Sequence, residues 1–246
     1  MPSQMGRVVF ITGTDTGAGK TVLTSLCLSM LLEAGERAVA IKPFCSGPRD
    51  DAEILFRLQE GRLPIEWINP FCAEKSVAPM LGFQRERRRI SIDRVNRHID
   101  ALSRKYDWLL VEGAGGLLSP LGDAYSLADL IATRACRVVV AVRNRLGAIN
   151  HSRLAINSLS QKSREETVLV LMGDSVDDLA CQTNEALLSR ILARIGVVAL
   201  PYFGEHAARS ARKLRGLAKK SKKTLARVVG AANLLAALAK EKRRSF

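Results

Sequence analysis

Short apolar runs alternate with longer amphipathic stretches between residues 7 and 205. Each run has the length of a buried strand, whereas the amphipathic stretches repeat their apolar positions at helical spacing. This alternation is typical of βα units that build a mostly parallel sheet with helices on both faces, so it predicts an α/β fold. The expected strands are RVVFIT (7–12), AVAIK (38–42), DWLLVE (107–112), RVVVAVR (137–143), TVLVLMGD (167–174) and VVALP (197–201).

Helices are expected between these strands, where apolar residues recur with a helical period. The expected helices are 19–34, 50–61, 91–105, 149–160 and 183–195. The second of them opens with Asp50 and Asp51, and an Asp at this place caps a helix without any further role. The stretch 62–82 contains proline and is expected to be irregular. No internal repeat and no low-complexity linker interrupts the chain before its last 41 residues, 206–246.

Composition supports one main domain followed by a chemically distinct tail. The chain has 246 residues, of which 47% are hydrophobic, and can bury a full core as one α/β domain. Its net charge of +14 is unevenly distributed: residues 1–205 carry 25 Lys and Arg against 23 Asp and Glu, whereas residues 206–246 carry 13 against 1. We therefore expect a domain over 1–205 and a basic helical tail over 206–246.

The tail has apolar residues at helical spacing, with Lys and Arg between them. These residues are Leu225, Val228, Val229, Ala232, Leu235 and Leu238. The pattern favours a terminal helix packed on the domain, with its basic face in solvent. The alternative is a helix that lies on a membrane or a nucleic-acid patch. The shortage of aromatic residues in the tail argues against binding of single strands.

No segment reaches the roughly 20 consecutive apolar residues of a membrane span, and the start MPSQMGRVVF lacks the pattern of a signal peptide. We therefore expect a cytoplasmic protein. The five cysteines are scattered without a C-x-x-C pair, which favours reduced packing residues over a zinc site or a redox dithiol. They are Cys27, Cys45, Cys72, Cys136 and Cys181.

A phosphate-binding loop is predicted directly after the first strand. Such a loop needs small residues, a following helix N-terminus, a lysine for charge and a hydroxyl for Mg²⁺. The segment GTDTGAGKT supplies these through Gly13, Gly17, Gly19, Lys20 and Thr21. The strict pattern G-x-x-x-x-G-K-[ST] requires glycine at the position of Thr14, so this loop is a variant of it. The alternative is an ordinary glycine-rich turn.

Polar residues also follow other predicted strands, at the sheet edge where ligands bind in α/β proteins. Lys42 ends one strand and is a candidate for neutralising an anionic group, and Glu112 ends another and is a candidate Mg²⁺ ligand beside Thr21. Asp51 is a further candidate ligand. Each has a plainer alternative: Lys42 as a surface lysine, Glu112 as a solvated residue at a loop start, and Asp51 as a helix cap.

The segment RLGAINH (145–151) predicts a helix start suited to a carboxylate. The helix would begin at Gly147, and its N-terminal N–H groups would face the anion. The alternative is a simple helix start capped by Asn144 or Asn150.

Taken together, these segments resemble the dethiobiotin synthetase family. The resemblance spans residues 6–205 and rests on GTDTGAGKT (13–21), KPFCSG (42–47), Asp51, VEGAGG (111–116), LGAINH (146–151) and LPYF (200–203). It implies a phosphate-loop NTPase-like fold and an ATP-dependent ligase of biotin synthesis. In that family 7,8-diaminononanoate takes up CO₂ as a carbamate, Mg-ATP phosphorylates the carbamate, and the second amine displaces phosphate to close the ureido ring. The family's active site lies at a homodimer interface, so a homodimer is implied.

The resemblance also implies roles for individual residues. Catalytic roles are implied for Thr16, Lys20 and Lys42, and Mg²⁺ binding for Thr21, Asp51 and Glu112. Nucleotide binding is implied for Gly13, Thr14, Asp15, Thr16, Gly17, Ala18, Gly19, Lys20, Thr21, Gly173, Asp174, Pro201 and Tyr202. Contacts to the diamine substrate are implied for Lys42, Ser46, Gly115, Gly116, Gly147, Ala148, Ile149 and Asn150.

Two residues depart from the family pattern. Gly17 stands where the family commonly has an acidic residue, which loosens contacts to the metal or the diamine. Gly173 stands where the family commonly has an Asn that reads adenine. Loss of an amide that hydrogen-bonds a base relaxes base selectivity, so the preference for ATP over other nucleoside triphosphates is in question.

A second class of function is a nucleotide-switched ATPase of the chromosome-partitioning or cell-division type, with the basic tail as its membrane or DNA contact. Those proteins typically carry an additional lysine early in the loop. This chain has Thr14 and Asp15 there and no lysine before Lys20, which favours the ligase. A glutamine-dependent amidase of the cobyrinate type needs a further amidotransferase domain, for which the tail is too short.

Overall fold

The computed structural model describes residues 5–176, 178–204 and 207–244. Within these residues the strands are β1 (Arg7–Gly13), β2 (Ala38–Ile41), β3 (Phe44–Ser46), β4 (Phe71–Ala73), β5 (Trp108–Glu112), β6 (Pro120–Gly122), β7 (Tyr125–Ser126), β8 (Arg137–Arg143), β9 (Thr167–Met172) and β10 (Gly196–Leu200). Six of them form one parallel sheet in the order β10-β9-β8-β1-β5-β2. The pairs β3–β4 and β6–β7 stand apart from this sheet.

Helices connect the strands along the whole chain. They are α1 (Lys20–Glu33), α2 (Asp50–Leu58), α3 (Ile65–Ile68), α4 (Pro79–Arg85), α5 (Ile92–Ser103), α6 (Leu127–Ala132), α7 (Ala148–Asn157), α8 (Gln161–Glu165), α9 (Leu179–Ile191), α10 (Ala211–Lys220), α11 (Lys222–Val229) and α12 (Ala232–Arg244), with a short 3₁₀ turn at Ala207–Arg209.

The predicted α/β fold is confirmed. All six expected strands are present and belong to the parallel sheet. Every residue of β5 is buried, as are the four residues of β2 and the last five of β1. A strand whose successive side chains are all buried is covered on both faces, which is the normal situation in a parallel sheet.

The sequence did not predict the elements between residues 62 and 82. This stretch, expected to be irregular, contains α3, β4 and α4, and β4 pairs in parallel with β3. Elements of three or four residues are too short to show a period, so the pattern gave no signal for them. The expected helix 183–195 begins earlier, at Leu179, after Asp178 caps it by accepting from the Cys181 N–H at 2.9 Å.

One expectation and one alternative about helix caps are wrong. Asp50 and Asp51 lie in the first turn of α2, and the N-cap is Arg49, whose side chain makes no capping hydrogen bond. Acidic residues in a first turn interact favourably with the helix dipole, so their position is still reasonable. Neither Asn144 nor Asn150 caps α7, because its N-cap is Gly147 with a φ of 92°.

The tail is not a single helix. Gly230, with a φ of 75°, ends α11, so the apolar residues expected on one continuous helix are divided between α11 and α12. Leu214, Leu225 and Val228 are fully buried, and both α10 and α11 contact α1. Residues 205 and 206 lie outside the described residues, so the domain boundary at this point stays a prediction.

Arg137, the first residue of β8, holds the end of α11 against the sheet. Its Nε donates to the Val228 carbonyl at 2.6 Å and its Nη2 donates to the Arg227 carbonyl at 2.9 Å. The last carbonyls of a helix have no partner within the helix, and a cation at this end also interacts favourably with the helix dipole. The contact therefore joins a strand of the central sheet to the tail.

In residues 5–176, 178–204 and 207–244, none of the helices combines the length and the apolar character that crossing a bilayer requires.

Arg137→Ala tests this anchoring. The substitution leaves two carbonyls at the end of α11 without their charged donor, so we expect the free energy of unfolding to fall by about 1–3 kcal/mol in urea denaturation. Arg89→Ala is the control, because the Arg89 side chain is 89% exposed, and its expected change is below about 0.5 kcal/mol. Equal stability of Arg137→Ala and the unsubstituted protein would show that Arg137 does not anchor the tail.

Candidate active site

The loop between β1 and α1 has the geometry of a phosphate-binding loop. Gly17 and Gly19 have φ values of 78° and 90°, in the left-handed region that favours glycine. A Cβ at Gly13 would lie 3.0 Å from the Ala18 Cβ, so the loop closes tightly on the strand end. Helix α1 begins at Lys20, one residue after the predicted start at Gly19, and no side chain caps it. No side chain therefore occupies the first N–H groups of α1. This N-terminal end of a helix is the end that stabilises an anion.

Lys20 folds back over this loop. Its Nζ donates to the Asp15 carbonyl at 2.8 Å, and the Thr16 N–H donates to the Asp15 side chain at 2.7 Å. Burial and the positive charge of Lys42 hold the pKa of Lys20 below its ordinary value, although nearby carboxylates oppose the shift. Two lysine side chains are thus close enough for their charges to interact beside the loop.

Lys42, Asp51 and Glu112 come together at the carboxyl end of the sheet, and we call these three residues the Lys42 cluster. Lys42 Nζ donates to Glu112 Oε1 at 2.9 Å and also forms an ion pair with Asp51. Thr21 Oγ1 donates to the same Glu112 oxygen at 2.7 Å. The candidate Mg²⁺ ligands and Lys42 therefore form one connected group.

Sheet register explains why these residues meet. Strand β5 lies between β1 and β2, with Ile41 opposite Val111 and Ile11 opposite Glu112. The residues that follow Ile41 and Val111 therefore emerge side by side at the same edge. Lys42 and Glu112 are those residues, and the loop that follows β1 brings Thr21 to them.

The Lys42 cluster is buried and charged. The exposed fractions of Lys42 and Glu112 are 7% and 0%. Burial alone lowers the pKa of Lys42, but the charges of Glu112 and Asp51 outweigh it and hold this pKa above its ordinary value. Burial raises the pKa of Asp51, but the charge and hydrogen bond of Lys42 lower it by more. The net result is a pKa below the ordinary one. At neutral pH the lysine is therefore protonated and Asp51 ionised.

The cluster also fits a magnesium ion. Glu112 Oε2 is buried and, among the described residues, has no hydrogen-bond partner. Across that same part of the chain, no group of three or more His, Cys, Asp or Glu residues could hold a metal by itself. Mg²⁺ typically takes one or two protein carboxylates together with substrate phosphates, so Asp51, Glu112 and the Thr21 hydroxyl form a sufficient set of oxygen ligands.

The glycine loop after β5 lies against the phosphate-binding loop. Gly115 has a φ of 68°, and a Cβ at Gly116 would lie 3.2 Å from the Thr14 carbonyl oxygen. Ser46 ends β3, and its Oγ is buried without a hydrogen-bond partner within the described residues. A buried hydroxyl without a partner is costly unless another group satisfies it, which makes Ser46 a candidate for binding substrate.

The helix start at 147–150 lies at the same sheet edge, after β8. Gly147 precedes α7 without a side-chain cap, and Ala148, Ile149 and Asn150 form the first turn. Where the structure describes the chain, no hydrogen bond joins this turn to the Lys42 cluster. A substrate that touches both must therefore bridge them.

A cavity of about 280 Å³ opens beside the phosphate-binding loop. Gly17, Ala18, Gly19, Val22, Arg143, Met172, Gly173, Asp174, Ser175, Pro201, Tyr202, Phe203 and Gly204 line it. The predicted base-binding residues are therefore together, and they adjoin the loop. A larger cavity of about 900 Å³ lies elsewhere, beside Arg7 and Arg137 at the amino ends of β1 and β8. It is remote from the carboxyl edge where the candidate residues meet.

Gly173 has no room for a side chain. Its N–H donates to the Leu200 carbonyl at 2.8 Å, and a Cβ would lie 2.4 Å from the Tyr202 nitrogen. The Asp174 carboxylate already has hydrogen-bond partners, since it accepts from Arg143 Nη2 at 3.0 Å and from the Ser175 N–H at 2.7 Å. Gly173 therefore offers a base only backbone atoms, and the hydrogen bonds of the Asp174 carboxylate are made within the protein.

Arg143 is a charged residue of this cavity that the sequence did not identify. It ends β8, just as Glu112 ends β5. A charged residue that ends a buried strand was the signal that singled out Glu112 and could have singled out Arg143. Its hydrogen bond lowers the pKa of Asp174 to about 2.

Comparisons with known proteins agree with the loop and the sheet. The AAA domain family matches residues 7–237. An ATP-dependent dethiobiotin synthetase BioD of Anaeromyxobacter sp. (strain Fw109-5) is 34% identical over 208 residues, which cover 82% of this chain and 93% of the relative. A protein of the same name from Akkermansia muciniphila is 32% identical over 183 residues, covering 74% of this chain and 86% of the relative.

Solved structures show the same fold at low identity. The MinC:MinD cell division protein complex of Aquifex aeolicus aligns with a TM-score of 0.57 and 14% identity, covering 87% of this chain and 95% of that one. A ParA family ATPase from Chlorobium tepidum aligns with a TM-score of 0.55 and 13% identity, covering 92% and 96%. The fold is therefore that of phosphate-loop NTPases, and identities this low indicate the fold alone.

The Arg143–Asp174 pair gives a prediction about pH. We expect NMR titration of Asp174 to give a pKa of about 2, and Arg143→Gln to raise it toward the ordinary value of about 3.9. Because the folded-state pKa is lowered, the stability that the pair contributes is present above the ordinary pKa and is lost as the pH falls through about 2. Arg145→Gln is the control. An ordinary Asp174 pKa in the unsubstituted protein would contradict the pairing.

Proposed function

The chain belongs to the family of ATP-dependent dethiobiotin synthetases, which makes it an ATP-dependent ligase of biotin biosynthesis, and we propose that its site phosphorylates a carbamate of 7,8-diaminononanoate and then closes the ureido ring. One observation carries the residue assignment: a buried lysine and two carboxylates meet directly beside the phosphate-binding loop. Lys42 Nζ lies 2.9 Å from Glu112, which accepts from Thr21 of the loop at 2.7 Å.

The loop binds the triphosphate. Backbone N–H groups of Gly17, Gly19 and the start of α1 face its oxygens. Lys20 leaves the Asp15 carbonyl to contact the γ-phosphate, with Thr16 beside it. The base lies in the cavity beside Gly173 and Tyr202. Thr21, Asp51 and Glu112 would hold Mg²⁺, which would supply charge neutralisation for the phosphate oxygens.

The diamine lies on the other side of Lys42. Ser46 and the Gly115–Gly116 backbone border the diamine, while the helix start at residues 147–150 binds its carboxylate. The unpartnered Ser46 hydroxyl supports this assignment. The substrate thereby spans the distance between the Lys42 cluster and α7.

The reaction then balances in three steps. One amine attacks CO₂ and loses a proton, giving a carbamate. A carbamate oxygen attacks the γ-phosphorus and ADP leaves. The second amine attacks the carbamate carbon, phosphate leaves with the carbamate oxygen, and a further proton is released as the ring closes. Lys20 and Lys42 are positioned to stabilise the charge that moves between carbamate and phosphate, in a buried setting where such stabilisation is strong.

We also propose a homodimer, because exposed leucines flank the proposed carboxylate site. Leu146 is 81% exposed, Leu154 61% and Leu179 74%. Apolar side chains grouped on one surface favour a protein interface. Sedimentation equilibrium at micromolar protein should give the mass of two chains.

The proposed compartment is the cytoplasm, where ATP is present and buried thiols such as Cys27 and Cys45 stay reduced.

The activity itself is tested by phosphate release from Mg-ATP. Release should require both bicarbonate and 7,8-diaminononanoate, and mass spectrometry should detect the ureido product. Release that does not depend on the diamine, without a ureido product, would contradict the ligase and favour a switching ATPase.

Lys42→Ala tests the proposed role of the lysine. We expect kcat to fall by about 10²–10³-fold, because the substitution removes charge stabilisation in the transition state. Nucleotide binding, measured by calorimetry, should remain detectable because the loop is intact. Lys42→Arg keeps the charge beside the buried Glu112 and serves as a second variant, while the exposed Lys75→Ala is the control. Unchanged turnover in Lys42→Ala would remove Lys42 from the mechanism.

Base selectivity is expected to be weak. With no side chain at Gly173 and with Asp174 tied to Arg143, few side-chain groups remain to read the base. We expect kcat/KM for CTP, GTP and UTP to lie within about tenfold of that for ATP, since a pocket with few hydrogen bonds to the base discriminates little. Discrimination above about 10³-fold would show hydrogen-bond readout of the base.

A further inference from the structure

Helices α10 and α11 carry a long run of basic residues outside the proposed active site. Eight lysines and arginines occur in these two helices without one acidic residue. They are Arg212, Lys213, Arg215, Lys219, Lys220, Lys222, Lys223 and Arg227, and we call them the tail basic surface.

These side chains face away from the core because the other face of both helices is docked. Leu214, Ala218, Leu225 and Val228 are fully buried, and Arg137 holds the end of α11. Of the eight basic residues, Lys222 is partly buried and the other seven are exposed. The charge therefore belongs to a fixed surface of the folded protein.

The positive charge of this surface is largely uncompensated. Arg215 forms an ion pair with Glu60, and within the described residues no other member of the surface has an acidic partner. Four of the lysines, Lys219, Lys220, Lys222 and Lys223, line an open groove of about 730 Å³ whose one acidic residue is Glu33. Grouped unpaired lysines raise the local potential and attract a polyanion.

The spacing of these charges suits a regular row of phosphates. Arg212, Arg215 and Lys219 are separated by three and four residues, so they lie on one face of α10. A ten-residue helix is about 15 Å long, and phosphates of one duplex strand rise about 3.4 Å each along the axis. The surface therefore spans roughly four phosphates of one strand before it continues into α11.

We propose that the tail basic surface binds the phosphate backbone of duplex nucleic acid without reading its sequence. Residues 207–244 contain no aromatic side chain, so they cannot stack on bases as single-strand binding proteins do. An interfacial membrane helix needs an exposed apolar face, whereas the large apolar residues of α10 and α11 are buried or partly buried. Phosphate contact through lysine and arginine fits the side chains that remain.

The test compares the full chain with Lys219→Gln/Lys220→Gln/Lys222→Gln/Lys223→Gln by fluorescence anisotropy on a random duplex of about 20 base pairs. For about four phosphate contacts, affinity of the unsubstituted chain should fall roughly 10²-fold between about 50 and 200 mM salt. The variant should bind at least about tenfold more weakly, and the slope of log K against log salt should decrease in magnitude by about 1 for each removed lysine that contacts a phosphate. Ligase turnover should be unchanged in the variant, because none of the four lysines is part of the proposed site.

A second variant, Arg85→Gln/Arg87→Gln/Arg97→Gln/Arg104→Gln, removes four exposed charges from the α4–α5 region and is the matched control. Thermal unfolding by circular dichroism verifies that both variants are folded. The proposal is overturned if the duplex does not bind, or if the control weakens binding as much as the lysine variant. It is also overturned if phosphatidylcholine–phosphatidylglycerol vesicles bind more tightly than the duplex at equal phosphate concentration.

Discussion

The ion pairs of Lys42 with Glu112 and Asp51 are the constraint on which the candidate site depends. Glu112 is fully buried, and a buried carboxylate without a partner is strongly destabilising. Lys42 therefore has a structural role before any substrate binds, and the same contact brings its ammonium beside the phosphate-binding loop. At this position Lys42 can pair either with the protein carboxylates or with the oxygens of the substrates. In the proposed chemistry it contacts the substrate oxygens as charge develops on them.

The parallel sheet makes this arrangement possible. Three of its six strands, β1, β5 and β2, end side by side at one edge. Each contributes one part of the site: the loop after β1, Glu112 at the end of β5 and Lys42 after β2. Arg137 acts at the opposite end of a strand, where it fixes the tail. The two ends of the sheet thus differ: the carboxyl edge carries the proposed site of nucleotide chemistry, and the amino edge anchors the basic tail.

Much of the site could be predicted from the sequence because long buried strands and a glycine-rich loop give strong local signals. The direct contact between Lys42 and Glu112 could not be predicted in this way. It depends on β5 lying next to β2, and strand order is a property of the whole chain. Elements as short as α3 and β4 have no detectable period. Gly173 shows a different limit of sequence-based prediction. The sequence shows only that the side-chain amide common in the family is absent, whereas the structure shows that the Tyr202 backbone excludes any side chain there.

The central claim is that the nucleotide phosphorylates a carbamate at the Lys42 cluster. The most direct measurement uses ¹⁸O-labelled bicarbonate in unlabelled water, with rapid quenching and mass spectrometry of the phosphate released during ring closure. Because the carbamate oxygen leaves with phosphorus, the account predicts phosphate that carries one ¹⁸O atom from bicarbonate. Phosphate that contains only oxygen from the nucleotide and from water would show simple hydrolysis and would contradict the account.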